Sequence, residues 1–202
     1  MKIKKYCLLG LVSMVAILTL TGCMPMNLSG AQPQPTETAV VYDSTDALAK
    51  AVEAQKSGDG EDNHGLAALD HYYGFHTLPQ GAKIDSIKVL SFAVRVLYTF
   101  GPTTEDTYDN RMEMVWYRDT TGTEFISKVA QNATLTTLKQ GDITYYRSVA
   151  KVKVAEDSDE SMDYCQIVYW SQEDRAYMAA VPMGFSDEDI GTYCQAQQMS
   201  VQ

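Results

Sequence analysis

Over most of the stretch between residues 83 and 181 apolar side chains keep returning at every second position, the period of a strand and not of a helix, and that limits the folds open to the chain. Residues 84–90 and 93–100 are rich in Ile, Val, Leu, Tyr and Phe and predict a pair of strands, the second ended by Gly101 and Pro102. Residues 111–117 set Met112, Met114 and Trp116 against Arg111, Glu113 and Val115, which predicts a strand with one buried face, followed by a turn at Thr121 and Gly122. Residues 125–139 fit neither period. β-type composition returns over 143–154, around Tyr145, Tyr146, Val149 and Val152. Residues 164–170 and 176–181 predict a hairpin across the polar turn Ser171, Gln172, Glu173 and Asp174.

Two segments have helical character. Residues 43–55 begin with Ser44 or Thr45 as N-cap and carry Ala47, Leu48, Ala51 and Val52 on one stripe, and Ser57 and Gly58 end them. Near the C-terminus Ser186 and Asp189 have cap spacing, Asp187 and Glu188 sit where the helix dipole favours acids, and Phe185 is placed to staple onto Ile190. That start predicts a helix over 187–198 with Ile190, Tyr193 and Cys194 facing the sheet. Residues 57–65 form a polar acidic loop, and the stretch from Leu66 to Pro79 is expected to be irregular or extended. The sum is an α+β domain: a mainly antiparallel sheet with an N-terminal and a C-terminal helix packed on it.

The first 22 residues have the three parts of an export signal: basic Lys2, Lys4 and Lys5, an uncharged run over 6–20, and small residues before a cut. That run of about 15 residues is short of the roughly 20 that a helix needs to cross a bilayer. Leu20, Thr21, Gly22 and Cys23 resemble the lipobox of bacterial lipoproteins. The resemblance implies that Cys23 takes a diacylglycerol, that the signal is cut before it, and that the protein is held on the outer face of a membrane by its acyl chains. Residues 1–22 are then a cleaved signal peptide, 23–42 a flexible tether containing Pro25, Pro33 and Pro35, and 43–202 a single extracytoplasmic domain. The tether would hold the domain about 30 to 50 Å from the membrane.

Sixteen basic residues face 26 acidic ones, and removing Lys2, Lys4 and Lys5 leaves 13 against 26, a net −13. Such a surface repels nucleic acid and anionic headgroups, so no nucleic-acid partner is expected and membrane attachment falls to the lipid.

Tyr72 and Tyr73, then residues 78–83, two strands and Tyr98, resemble a domain-of-unknown-function family of Gram-positive bacteria found in lipoproteins and in anti-sigma-factor-like membrane proteins. The end of the chain resembles it too: Ile167, Val168, Tyr169 and Trp170, a polar turn, Tyr177, then Phe185, Ser186, Asp187 and Glu188 opening a helix. The resemblance spans about residues 65–199. It departs from the family in the acidic insert around 156–163 and in the two late cysteines, and it implies no catalytic residues.

With Cys7 removed and Cys23 acylated, Cys165 and Cys194 are left in an oxidising exterior as a candidate disulfide pinning the last helix to a strand. The other reading is two buried thiols, since Cα separation is not a property of sequence. His64, His71 and His76 lie near Asp59, Glu61, Asp62 and Asp70, but spacings of seven and five do not gather three imidazoles on one helical face, so no metal site is assigned. Asp59, Glu61, Asn63 and Asp70 make a poor calcium loop, with His64 where the turn glycine belongs. The run of Glu156, Asp157, Asp159, Glu160 and Asp163 fits a solvated turn. Neither a nucleophile elbow nor a phosphate loop nor a dinucleotide fingerprint occurs, so no catalytic residue and no cofactor is assigned. The expected role is a non-enzymatic binding or regulatory module of the cell envelope with a protein partner. The alternative is a small-ligand carrier or cell-wall-active enzyme using a concave sheet face.

Overall fold

The computed structural model describes residues 39–58, 63–102, 107–153 and 162–201. In chain order they form β1 (Val40–Tyr42), α1 (Thr45–Lys56), a 3-10 turn (Asn63–Ala68), β2 (His71–Phe75), β3 (Lys83–Val89), β4 (Ala93–Thr99) and β5 (Arg111–Thr121). There follow α2 (Gly122–Val129), β6 (Thr136–Gln140), β7 (Ile143–Lys153), β8 (Met162–Gln172), β9 (Arg175–Pro182), α3 (Asp187–Tyr193) and β10 (Ala196–Ser200). Eight strands make one antiparallel sheet in the order β1-β3-β4-β5-β9-β8-β7-β6, and β10 pairs with β2 in a separate ribbon. Sheet-rich, antiparallel and bearing three helices, the fold is α+β.

Strand alternation divides the core in two. One face of the sheet carries Val94, Val96, Met112, Met114, Val168, Trp170, Tyr177 and Ala179, packed with Leu48 and Val52 of α1, Tyr72 and Tyr73 of β2, and Ile190 of α3. The opposite face carries Ala93, Val115, Ile167, Tyr169, Ala176, Met178 and Ala180, packed with Tyr108 and with Phe125 and Val129 of α2. β5 is therefore buried on both sides, where one buried face was expected. The alanines of β9 keep the second face shallow enough for α2 to close on it.

α1 starts where expected, with Ser44 Oγ accepting from the Ala47 N–H at 3.2 Å. α2 falls where a turn and an unassigned stretch were expected. Thr121 caps it by accepting from the Glu124 N–H, and Phe125 and Val129, one turn apart, are its buried residues with Gly122. The last helix is a correction. It ends at Tyr193, seven residues long, and the chain returns as β10, with Ala196 opposite Phe75 and Ser200 opposite His71. The reason is backbone demand: β2 is buried along Tyr72–Phe75, and its amides and carbonyls need a partner that a continuing helix would not supply. The hairpin turn is also tighter than expected. β8 runs to Gln172 and β9 starts at Arg175, leaving Glu173 and Asp174, both with positive φ (52° and 55°), as a two-residue turn. β1 lies inside the stretch expected to be tether and pairs with β3, Val40 opposite Val89. Residues 1–38, including the signal and lipobox, lie outside the described residues.

Close backbone approach fixes one glycine. A Cβ on Gly122 would lie 2.8 Å from the Asp174 carbonyl carbon and 2.9 Å from the Arg175 oxygen, because α2 starts against the β8–β9 turn. We predict that Gly122→Ala lowers stability by about 2 kcal/mol, read from the denaturation midpoint, whereas Gly184→Ala, with no atom within 4 Å of the added Cβ, changes it by less than about 0.5 kcal/mol.

Candidate functional site

Pairing aligns one line of residues straight across the first face. Val40 faces Val89, Val89 faces Val94, Val94 faces Trp116, Trp116 faces Tyr177, Tyr177 faces Trp170, and Leu138 faces Tyr145. Trp170 stacks on Tyr177 with centroids 5.3 Å apart and meets Tyr145 at 6.0 Å. β2 crosses above this line and inserts Tyr73, whose ring meets Trp116 edge-on at 4.9 Å and Tyr177 at 5.7 Å. The alternate residue, Tyr72, points the other way and bonds Thr45 at the start of α1, 2.9 Å between hydroxyls.

The aromatic line comes near the surface at Trp116. His71 stacks on it at 5.6 Å and 27°, and His71 Nδ1 donates to Asp70 Oδ1, a contact that with the charge of His71 holds the Asp70 carboxyl below its usual range. The Arg175 guanidinium lies over Tyr73, 5.2 Å from its centroid. Close by, three residues of β5 bulge out of register between Tyr117 and Thr121, and Arg118 there donates to the His64 and Leu90 carbonyls at 2.8 and 3.3 Å. This end therefore presents a half-buried imidazole, an indole, a guanidinium and an exposed carboxylate on a braced backbone.

The second face holds a polar group of a different kind. Arg95 Nε and NH2 each donate to one oxygen of Glu113 at 2.8 Å, a two-pronged pair whose side chains are 17% and 10% exposed. Burial works to lower the Arg95 pKa, but the charge and hydrogen bonds of Glu113 outweigh it and raise it. Tyr108 and Tyr117 lie within electrostatic reach, and burial pushes both phenols up. Tyr117 donates to the Met178 sulfur at 3.8 Å, and the Tyr108 N–H donates to Asp163 at 2.8 Å. At neutral pH these tyrosines are neutral donors, not bases, and the arginine and glutamate spend their strongest bonds on each other.

The structure separates several residues that sequence placed together. Cys165 and Cys194 do not form the candidate disulfide; both are free and buried. Cys165 packs on the second face and Cys194 on the first, because strand alternation turns Cys165 away from α3. Burial pushes the Cys165 thiol up to about 12 and raises Cys194 as well, so both stay protonated and poorly nucleophilic. The three histidines are dispersed. His64 sits at φ 66° in the 3-10 turn, His71 is on Trp116, and His76 Nδ1 faces Gln197 Oε1 at 3.2 Å. Among the described residues no three His, Cys, Asp or Glu side chains gather as a metal site. Asp59, Glu61, Asp62 and residues 156–160 lie outside the described residues, as does Cys23.

Sequence reasoning missed Arg95, Glu113, Arg118 and Arg175 as organising residues. Glu113 was expected on the solvent side of its strand, yet β8 and β9 are apolar at both odd and even positions, and that composition is the signal that their neighbour is covered on both faces. No protein-family model matches the chain, and no match was found among curated proteins or solved structures.

Two tests follow from this geometry. Glu113→Ala, which strands a buried guanidinium, is expected to cost about 3 to 5 kcal/mol, while Arg95→Met with Glu113→Leu recovers most of that loss in urea denaturation. Alkylation by iodoacetamide without reductant should leave Cys165 and Cys194 unlabelled in the folded protein and label both after unfolding. A crosslinked peptide pair in its place would contradict the two-thiol arrangement.

Proposed function

We propose that the chain is an extracytoplasmic lipoprotein, anchored through diacylglyceryl Cys23, whose α+β domain, with α1 and α3 packed on the first face of its sheet, works as a non-enzymatic binding or regulatory module of the cell envelope. The observation that carries this reading is the placement of Leu20, Thr21, Gly22 and Cys23 directly after a basic start and an uncharged run too short to span a bilayer. Among the described residues no helix is long and apolar enough to cross a membrane.

The binding role draws support from where the chemistry sits. Both described thiols are buried and protonated, and the Arg95–Glu113 pair is closed on itself. A carrier or hydrolase working on the second sheet face would need those polar groups turned to a ligand. Aromatic and charged groups instead reach the surface at His71, Trp116 and Arg175, where recognition can occur without a reactive centre.

Cys23→Ala in cells fed a radiolabelled fatty acid tests the anchor. The parent should carry label and sediment with membranes, and the variant should be unlabelled and either released or left as uncut precursor. Membrane retention and processing of the variant like the parent would overturn the lipoprotein reading.

A further inference from the structure

The second sheet face is covered at its two ends by two very different pieces of chain. At one end lies α2, with Phe125 on Tyr117 and Tyr169 at 5.1 and 6.1 Å between centroids, its start capped by Thr121 and bonded to Asp174. Cys165 lies about 13 Å from Tyr169 along β8, and at that end the face meets the turn 107–110 that leads into β5. Tyr108 of this turn is buried with small residues of the sheet: Cys165 stands between Ala150 and Pro182 in register, and Ala180 lies opposite Glu113. Its phenol is within electrostatic reach of Cys165, Glu113 and Arg95.

The turn is tied across to β8 through one carboxylate. Asp163 Oδ2 accepts from the Tyr108 N–H and Asp163 Oδ1 from the Tyr164 N–H, both at 2.8 Å, so the same side chain holds the turn and its own strand. The bonds from the Arg111 N–H to the Tyr108 carbonyl at 3.2 Å, from the Phe100 N–H to the Asn110 carbonyl at 3.0 Å and from the Asp109 N–H to the Thr107 hydroxyl at 3.3 Å stay within the turn and its stem, and they survive if the turn swings. Lifting it also returns water to the Arg95–Glu113 pair, whose burial gains little net energy, so the pair resists opening less than apolar residues would. Segments closed in this way open at less than the free energy of unfolding a whole domain. Cys194 is placed differently: it closes α3, its N–H bonded to the Ile190 carbonyl at 2.8 Å, and belongs to the first-face core with Tyr145, Ile190 and Ala196. We propose that the turn carrying Tyr108 is a strap, latched by Asp163, that opens without unfolding of the domain and gates access to Cys165 and to the Arg95–Glu113 pair. This goes beyond the binding role and holds whether or not Cys23 is acylated.

Cys165 and Cys194 are both 0% exposed, so a difference in their reactivity reports opening. Brief alkylation finds both closed, and the test therefore extends iodoacetamide exposure of the full-length protein over hours, at rising urea below the unfolding transition, with each cysteine read separately by peptide mass spectrometry. Without urea Cys165 should react at least about tenfold faster than Cys194, at a rate nearly flat with urea, while Cys194 follows the urea dependence of global unfolding. Asp163→Asn, which leaves one of the two amides without its carboxylate oxygen, should speed Cys165 by about threefold or more and leave Cys194 within about twofold. Asp174→Asn, at the α2 end of the same face, should leave Cys165 within about twofold of the parent. Equal rates and equal urea dependence of the two thiols would overturn the strap, and so would a Cys165 that reacts only as the domain unfolds. An unchanged Cys165 rate in Asp163→Asn, an acceleration that Cys194 shares, or an equal acceleration by Asp174→Asn would remove the latch. Should Asp163→Asn fail to fold, the urea series of the unsubstituted protein decides by itself whether the strap opens alone.

Discussion

The insertion of Tyr73 over Trp116 and Tyr177 is the contact on which the rest of the first face depends. Trp116, Tyr177, Trp170 and Tyr145 run along one line across four strands, and Trp170, Tyr177 and Tyr145 are at most 1% exposed. Rings of this size each bury roughly 150 to 250 Å², worth about 4 to 6 kcal/mol apiece before entropy at some 25 cal/mol per Å². They also stand tall above the sheet, so a ribbon intervenes between them and α1. β2 turns Tyr73 and Phe75 down to the rings and Tyr72 up to Thr45 of α1, and because both its sides are then buried its backbone takes β10 as partner. The aromatic line thus sets the third layer, and the third layer converts the end of the chain from helix to strand.

The second face works by the opposite device. Small residues on β4 and β9, Ala93, Ala176 and Ala180, let α2 approach closely, and Phe125 reaches Tyr117 and Tyr169 with centroids 5.1 and 6.1 Å away. Into this floor the chain places a charged pair. Burying Arg95 and Glu113 gains little net energy over an apolar pair, because desolvation offsets the attraction. What the pair adds is geometry: two parallel hydrogen bonds tie β4 to β5 in one register, and Thr123 likewise ties α2 to the turn by donating from N–H and hydroxyl to Asp174, which holds that carboxyl below its usual range. Polar side chains on this face therefore lock elements together.

Sequence periodicity revealed most strands, since an apolar residue at every second position has a direct structural consequence wherever one face is buried. β3, β4, β7, β8 and β9 all lie where composition predicts strands, within a few residues at each end. What periodicity concealed has three physical causes. α2 is short, and its start signal, Thr121 three residues before Glu124, sits against the end of a strand so that the two patterns overlap. β10 has polar Gln197 and Gln198 and follows a full capping box at Ser186, so locally it continues a helix, and the demand that overrides this comes from β2, more than a hundred residues earlier. Arg95 and Arg175 announce little in one dimension, because Glu113 and Tyr73, which they meet, lie on other strands. The same holds for Cys165 and Cys194: both could be named from sequence, but the face each one occupies is a matter of register.

On the proposed anchor, topology also says where a partner would meet the domain. The described chain enters the sheet at β1, one edge, and β6 forms the other. β3, β4, β5 and β9 stand between β1 and β8, and five strand spacings of about 4.8 Å put roughly 24 Å between these two strands across the sheet. A domain held at the β1 edge, as that anchor would have it, turns its β6 edge away from the point of attachment. His71, Trp116 and Arg175 lie on the central strands and on β2 above them, nearer the middle of the same face. Attachment at one edge and recognition on the remainder are therefore compatible in one sheet, since neither needs the ground the other occupies.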